Sequence, residues 1–216
     1  MTEPPRIHVL AGVNGAGKSS LGGAMIRASG GQYYNPDEIA AKLIAANPGL
    51  DQARANALAW LKGTELLQRA IDDRLDFAIE TTLGGATIPQ MLTAAADAGF
   101  QMRVLYVGLS SPELHLRRVR NRVAAGGHDI PEIDIRRRWR HSRMNLISLL
   151  PALTELRVYD NSVDGDPKAG QTPRPSLVLH VVDTQIAAPP DLTCVPDWAR
   201  PIAAAAMKLA LGSGQQ

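Results

Sequence analysis

Eight residues near the N-terminus constrain this chain more than any others. Gly12-Val13-Asn14-Gly15-Ala16-Gly17-Lys18-Ser19 fits the pattern G-x-x-x-x-G-K-[ST] in full. The apolar run Ile7 to Ala11 precedes it and a helical pattern from Lys18 to Ala28 follows, so strand, glycine loop and helix N-terminus are expected in succession. Glycines there let backbone N–H groups wrap an anion while the helix turns its positive end toward it. In such a cradle Lys18 bridges the β- and γ-phosphates of a nucleotide and Ser19 supplies an oxygen to Mg²⁺. Asn14, Gly15, Ala16, Gly17, Lys18, Ser19 and Ser20 are therefore the candidate nucleotide contacts, with Ser19 the metal ligand and ATP and Mg²⁺ the expected ligands. The loop alone does not name a reaction, because GTPases, motors, transporters and kinases share it.

Around the loop, strand-like runs alternate with helical patterns, which predicts βαβ units and a mostly parallel sheet covered on both faces. Strands are expected at Ile7 to Ala11, Gln32 to Asn35, Asp76 to Glu80, Met102 to Leu109, Leu156 to Asp160 and Leu177 to Val182. Helices are expected at Lys18 to Ala28, Pro36 to Ala46, Asp51 to Asp73, Ile88 to Ala98, Pro112 to Ala125 and Pro131 to Leu149. Pro112 and Pro131 suit first helical positions, and Gly126-Gly127 suits a helix end. The fold class that follows is an α/β P-loop NTPase three-layer sandwich with a helical lid. Residues 1–186 would form the P-loop domain, with the lid near 112–150. Residues 161–176, rich in turn formers, read as a surface loop, and 187–216 as an irregular segment with a short Ala-rich helix.

Composition narrows the class. With 216 residues, 45% hydrophobic and 20% charged, the chain has material for one sizeable core, and 4% aromatics leave aliphatic residues to fill it. A single cysteine, Cys194, excludes an internal disulfide. Met1 to Arg6 lacks the basic start of a signal peptide. The longest apolar stretch, Ile202 to Leu211, contains Lys208 and is too short to span a bilayer. A cytoplasmic protein without membrane contact is expected. The net charge of +2 is too weak to imply nucleic acid, although residues 115–143 hold nine of the 23 Lys and Arg, all arginine.

Carboxylates follow two of the expected strands at the edge where open α/β sheets keep ligands. Asp37, in Asn35-Pro36-Asp37-Glu38, is the candidate general base for a substrate hydroxyl, although an acid there also suits a helix N-terminus. In Glu80-Thr81-Thr82, Glu80 is a candidate to orient the substrate or hold a Mg²⁺-bound water and Thr82 to hydrogen-bond the substrate; a polar strand-to-loop transition is the plainer alternative. In the arginine segment, Arg118 and Arg122 share a helix face and Arg136 begins a second cluster with Arg137 and Arg138. A hinged lid that lowers guanidinium groups onto a transferring phosphoryl would use them in this way. The rival reading, nucleic-acid binding through the same stripe, is disfavoured by the low total charge and by Trp139 being its only aromatic residue.

The P-loop, Asn35-Pro36-Asp37-Glu38-Ile39-Ala40, Glu80-Thr81-Thr82-Leu83, Arg122-Val123, Gly126-Gly127-His128-Asp129-Ile130-Pro131, Arg136-Arg137-Arg138 and Tyr159-Asp160-Asn161-Ser162 occur in that order. In this combination the chain resembles the short-chain branch of the zeta toxin family of kinases over roughly residues 6–162. The resemblance implies an ATP-dependent transfer of phosphate to a hydroxyl of a nucleotide-sugar, UDP-N-acetylglucosamine, and a separate antitoxin partner. It implies P-loop roles for Lys18 and Ser19, base chemistry at Asp37, substrate contacts at Glu80, Thr82 and Glu65, and phosphate contacts from lid arginines. Arg122 and Arg136 are the lid arginines expected in catalysis, and Arg118 the one expected at the nucleotide. Without the resemblance, Glu65 reads as part of a solvated helix face. The larger toxins carry arginine where this chain has Gly84, and His128 is an alternative occupant of a phosphate-binding arginine's position. The alternatives are a kinase of another small metabolite, an NTP-hydrolysing switch and a non-catalytic nucleotide-binding module.

Overall fold

Arg6–Ala11 forms β1 in the computed structural model, which describes residues 3–18, 33–163 and 175–213. The strands that follow are β2 (Tyr33–Tyr34), β3 (Phe77–Thr81), β4 (Gln101–Gly108), β5 (Glu155–Asp160), β6 (Ser176–Val182) and β7 (Gln185–Ala188). They make one sheet in the order β2-β3-β1-β4-β5-β6-β7, parallel through β5 and antiparallel beyond it. The described helices are α1 (Pro36–Ala46), α2 (Gln52–Asp72), α3 (Thr87–Asp97), α4 (Pro112–Ala124), α5 (Glu132–Leu149) and α6 (Arg200–Ser213). The α/β architecture is thus the one the alternating pattern implies. Among the described residues no helix is long and apolar enough to cross a membrane.

Register puts the strand ends that matter at one level. Ala11 lies opposite Thr81 and Tyr106, and the Gly12 amide donates to the Thr81 carbonyl at 3.2 Å. Tyr34 pairs with Ile79, so Asn35 and Glu80 leave their strands side by side. Strand order reverses at β1, and the crevice at such a reversal is where open α/β sheets bind ligands.

The helices start where their caps dictate. Asn35 Oδ1 accepts from the Asp37 and Glu38 amides at 2.9 and 3.4 Å, Asp51 caps α2 and Ser111 caps α4. Gly126, at φ 91°, ends the turn after α4.

Two features escape the sequence pattern. Asp183 and Thr184, with φ of 45° and 65°, make a two-residue hairpin turn between β6 and β7. Asp-Thr lacks the glycine that usually marks such a turn, so β7 went unexpected. The other is the depth of the C-terminal segment: Trp198, Ala199, Ile202, Ala203 and Ala206 are buried in the main core. The expected helix Lys18 to Ala28 lies outside the described residues beyond Lys18, as does most of the expected loop 161–176.

Trp198 carries that packing. Its ring stacks on Tyr106 at 6.3 Å, and a Cβ added at Gly108 would fall 2.2 Å from it. Nε1 donates to Asp160 Oδ1 at 3.2 Å. Trp198→Ala would open a cavity beside β4, and we expect a loss of about 3–5 kcal/mol in urea unfolding; a change below about 1 kcal/mol would show the segment to be marginal to the core.

Candidate functional site

The glycine loop has the backbone that its sequence requires. Gly12, Gly15 and Gly17 take φ of 141°, 80° and 88°, which side chains rarely adopt. A Cβ at Gly12 would meet the Val107 carbonyl at 2.2 Å, and one at Gly17 would meet Asn161 Nδ2 at 2.4 Å. Neighbouring elements hold the loop from three sides. Asn161 Nδ2 donates to the Ala16 carbonyl at 2.8 Å, and the Asn161 carbonyl in turn accepts from Arg118 Nη2 at 2.7 Å. His115 Nδ1 donates to the Asn14 carbonyl at 2.8 Å from α4. From α5, Arg138 Nη1 donates to Asn14 Oδ1 at 2.8 Å.

Beyond the loop lies a buried polar cluster. Lys18 Nζ sits 3.5 Å from Glu80 Oε1, with both side chains 7% exposed. Glu80 Oε2 accepts from Tyr33 Oη at 2.6 Å and from Asn35 Nδ2 at 3.1 Å. These donors offset the cost of a buried carboxylate that one ammonium leaves unmet. Lys18, Asp37, Glu80, Thr82 and Arg138 all line one cavity of about 540 Å³. Its floor at Leu83 is strained, with φ 50° in a buried leucine, and is held by the Thr81 hydroxyl on the Leu83 amide and by Asn145 Nδ2 on the Leu83 and Gly85 carbonyls.

Other expected residues stand elsewhere. Glu65 is exposed and pairs with Lys62 at 3.1 Å, while Thr64 beside it lines the cavity. Arg122 Nη2 donates to the His128 carbonyl at 3.0 Å and closes the turn after α4. Arg136 is bound at 2.7 Å to both Glu113 of α4 and Glu132 of α5, and those hydrogen bonds raise its pKa. Neither arginine lines the cavity in this conformation. Ser19 and Ser20 lie outside the described residues.

Arg138 reaches the loop from α5, and burial draws its pKa below the ordinary arginine value. The burial of α5 decides which arginine this is. Ile135, Ser142, Leu146 and Leu149 mark the inward stripe of α5, and Arg138 falls on it at three after Ile135 and four before Ser142, whereas Arg136 and Arg137 do not. Gly84 explains itself in the same contact: a Cβ there would lie 2.6 Å from Arg138 Cγ, so glycine makes room for the arginine stem.

With this geometry in view, residues 7–142 match the model of an AAA domain family. The chain belongs to that family. An uncharacterized protein of Haemophilus influenzae is 33% identical over 128 residues, 59% of this chain and 88% of that protein. Among solved structures, the AAA-domain chain is similar to a chain of the AvrRxo1-ORF1:ORF2 complex with ATP, with a TM-score of 0.64 and 14% identity over 85% of this chain. It spans only 60% of that protein's length. A chain of the PezAT chromosomal toxin–antitoxin system of Streptococcus pneumoniae gives a TM-score of 0.55 at 15% identity, covering 74% of this chain and 68% of that one. The fold is therefore that of a P-loop kinase-like domain.

His115, which no motif singled out, is 1% exposed, and burial pulls its pKa down to about 4. The neutral imidazole spaces α4 from the loop. On unfolding it regains an ordinary value near 6.5, so its contribution to stability is full above about pH 6.5 and is lost as pH falls through about 4. We expect the wild type to lose about 2 kcal/mol more than His115→Gln between pH 7 and pH 4.5 in urea melts. Equal losses would contradict the assignment.

Proposed function

We propose that this AAA-domain chain is an ATP-dependent phosphotransferase that moves the γ-phosphoryl group of ATP to a hydroxyl of a small molecule. The observation that carries the reading is convergence. Asp37 stands at the start of α1 on the wall of the same cavity that Lys18 and Arg138 enter from the glycine loop and the lid.

In this reading the loop amides and Lys18 hold the triphosphate. Arg138 lies against the loop with its guanidinium ready for charge that develops on the transferring group. Asp37 accepts the acceptor's hydroxyl proton as the oxygen forms its bond to the γ-phosphorus, the bond to the β–γ bridging oxygen breaks, and ADP leaves. Ser19 and Glu80 would hold Mg²⁺, directly or through water, and the ion would neutralise phosphate charge. The hydrogen-bonded, acceptor-only carboxylate of Glu80 suits that ion.

The zeta toxin resemblance supports UDP-N-acetylglucosamine as an acceptor to test, and the single cysteine supports a cytoplasmic setting. The AvrRxo1 and PezAT complexes support a separate protein partner.

Incubation with Mg²⁺ and γ-labelled ATP over a panel of hydroxyl compounds tests the reading. We expect acceptor-dependent label transfer. Asp37→Asn should lower kcat by about 10²–10⁴ with ATP affinity unchanged, whereas Lys18→Ala should weaken both. Near-wild-type transfer in Asp37→Asn would remove the base, and label released only as free phosphate would favour a hydrolytic switch.

A further inference from the structure

The cavity has two unlike ends. Among its described lining residues the fixed cations, Lys18 and Arg138, both stand at the glycine-loop end, where they engage Glu80 and Asn14. The rest of the lining includes a face of α2 and the turn that follows β3, against which the Arg138 stem packs at Gly84. This part presents Asn56, Trp60 and Thr64 from α2, at spacings of four, Thr82 from the turn and Thr87 from the start of α3. The carboxylates of the lining are Asp37, Glu80, Asp129 and Asp134, and His128 lines it beside Asp129. The nearby charged pair on α2, Lys62 with Glu65, is satisfied within itself at 3.1 Å and lies outside the lining. At the lid edge Asp134 is likewise taken up, by Arg137 at 2.7 Å.

Trp60 is 45% exposed on this wall. A large aromatic surface left open inside a cavity is a platform for a flat apolar face, and indole presents that face at low entropic cost. The amide and hydroxyl groups around it are uncharged donors and acceptors, which match ligand hydroxyls one for one. A phosphate in this half would face Asp37, with the two fixed cations already committed to the triphosphate. Gly84 adds to the contrast, because the arginine stem that occupies its space, Arg138, delivers its charge to the loop and not to this wall.

Resting on the phosphotransferase reading above, we propose that the acceptor is an uncharged ring compound bearing several hydroxyls, a sugar, cyclitol or nucleoside without phosphate, seated with its apolar face on Trp60. The acceptor's attacking hydroxyl then points to Asp37, and its remaining hydroxyls meet the threonine and asparagine side chains of the wall. A nucleotide-sugar would place its diphosphate among these uncharged groups and should be the poorer acceptor.

Matched pairs test this on the full chain with Mg²⁺ and γ-labelled ATP: each sugar, cyclitol or nucleoside beside its phosphorylated or nucleotide-linked counterpart. The neutral member should give kcat/KM at least about tenfold higher than its anionic counterpart. Trp60→Ala should raise the acceptor KM about tenfold or more while leaving kcat and ATP affinity within about twofold, and Trp60→Phe should restore most of the loss. Preferred transfer to UDP-sugars, or an acceptor KM indifferent to Trp60→Ala, would overturn the inference. Equilibrium binding of the same pairs beside a non-hydrolysable ATP analogue separates the two levels. Neutral compounds that bind through Trp60 without receiving label would uphold the ligand class and defeat the phosphotransferase reading; binding confined to the anionic members would defeat the ligand class whatever the turnover.

Discussion

The Lys18–Glu80 ion pair holds the site together, and it is an expensive interaction to bury. Removing each charge from water costs several kcal/mol, which mutual attraction recovers only when the remaining lone pairs are also met. Tyr33 Oη and Asn35 Nδ2 meet them at 2.6 and 3.1 Å. The consequence is mechanical as well as energetic. Asn35 uses its amide nitrogen on Glu80 and its amide oxygen to cap α1, so one side chain couples the end of β3 to the helix that carries Asp37. Through Glu80 the glycine-loop lysine, the edge strand β2 and the candidate base share one frame.

A second set of contacts ties α5 to that frame. Arg138 fastens α5 to Asn14, and Asn145, two turns further on, fastens the same helix to the carbonyls of the Leu83–Gly85 turn. The lower part of α5 is fixed by Ser142 against the Tyr106 hydroxyl at 3.0 Å and by Arg143, which lies over Trp139 and donates to the Trp198 carbonyl. Residues beyond the family match therefore support the helix that carries the lid arginine.

Much of this was legible in the residues themselves. The glycine pattern, the prolines and capping residues, and the alternation of apolar runs identify the α/β sheet and most element positions, because each is a local rule with one dominant cause. What stayed hidden depends on packing. Three consecutive arginines look alike in sequence, and only the inward stripe of α5 decides that Arg138 turns in while Arg136 meets Glu113 and Glu132. Arg122 reads as a lid cation but is used to close a turn. Tyr33 and His115 gave no signal, since a tyrosine on an edge strand and a histidine on a helix are ordinary until a neighbour makes them partners. Trp198 and β7 came from a segment read as irregular, because proline and turn residues mask how much of it is buried.

The most direct test of this account is calorimetric titration of ATP, with and without Mg²⁺, into the wild type and Glu80→Gln. If Glu80 holds Lys18 until a triphosphate takes the lysine and then serves the metal, the variant should bind free ATP at least as tightly as the wild type and lose the gain in affinity that Mg²⁺ confers. An unchanged Mg²⁺ dependence in Glu80→Gln, or no ATP binding by the wild type, would contradict it.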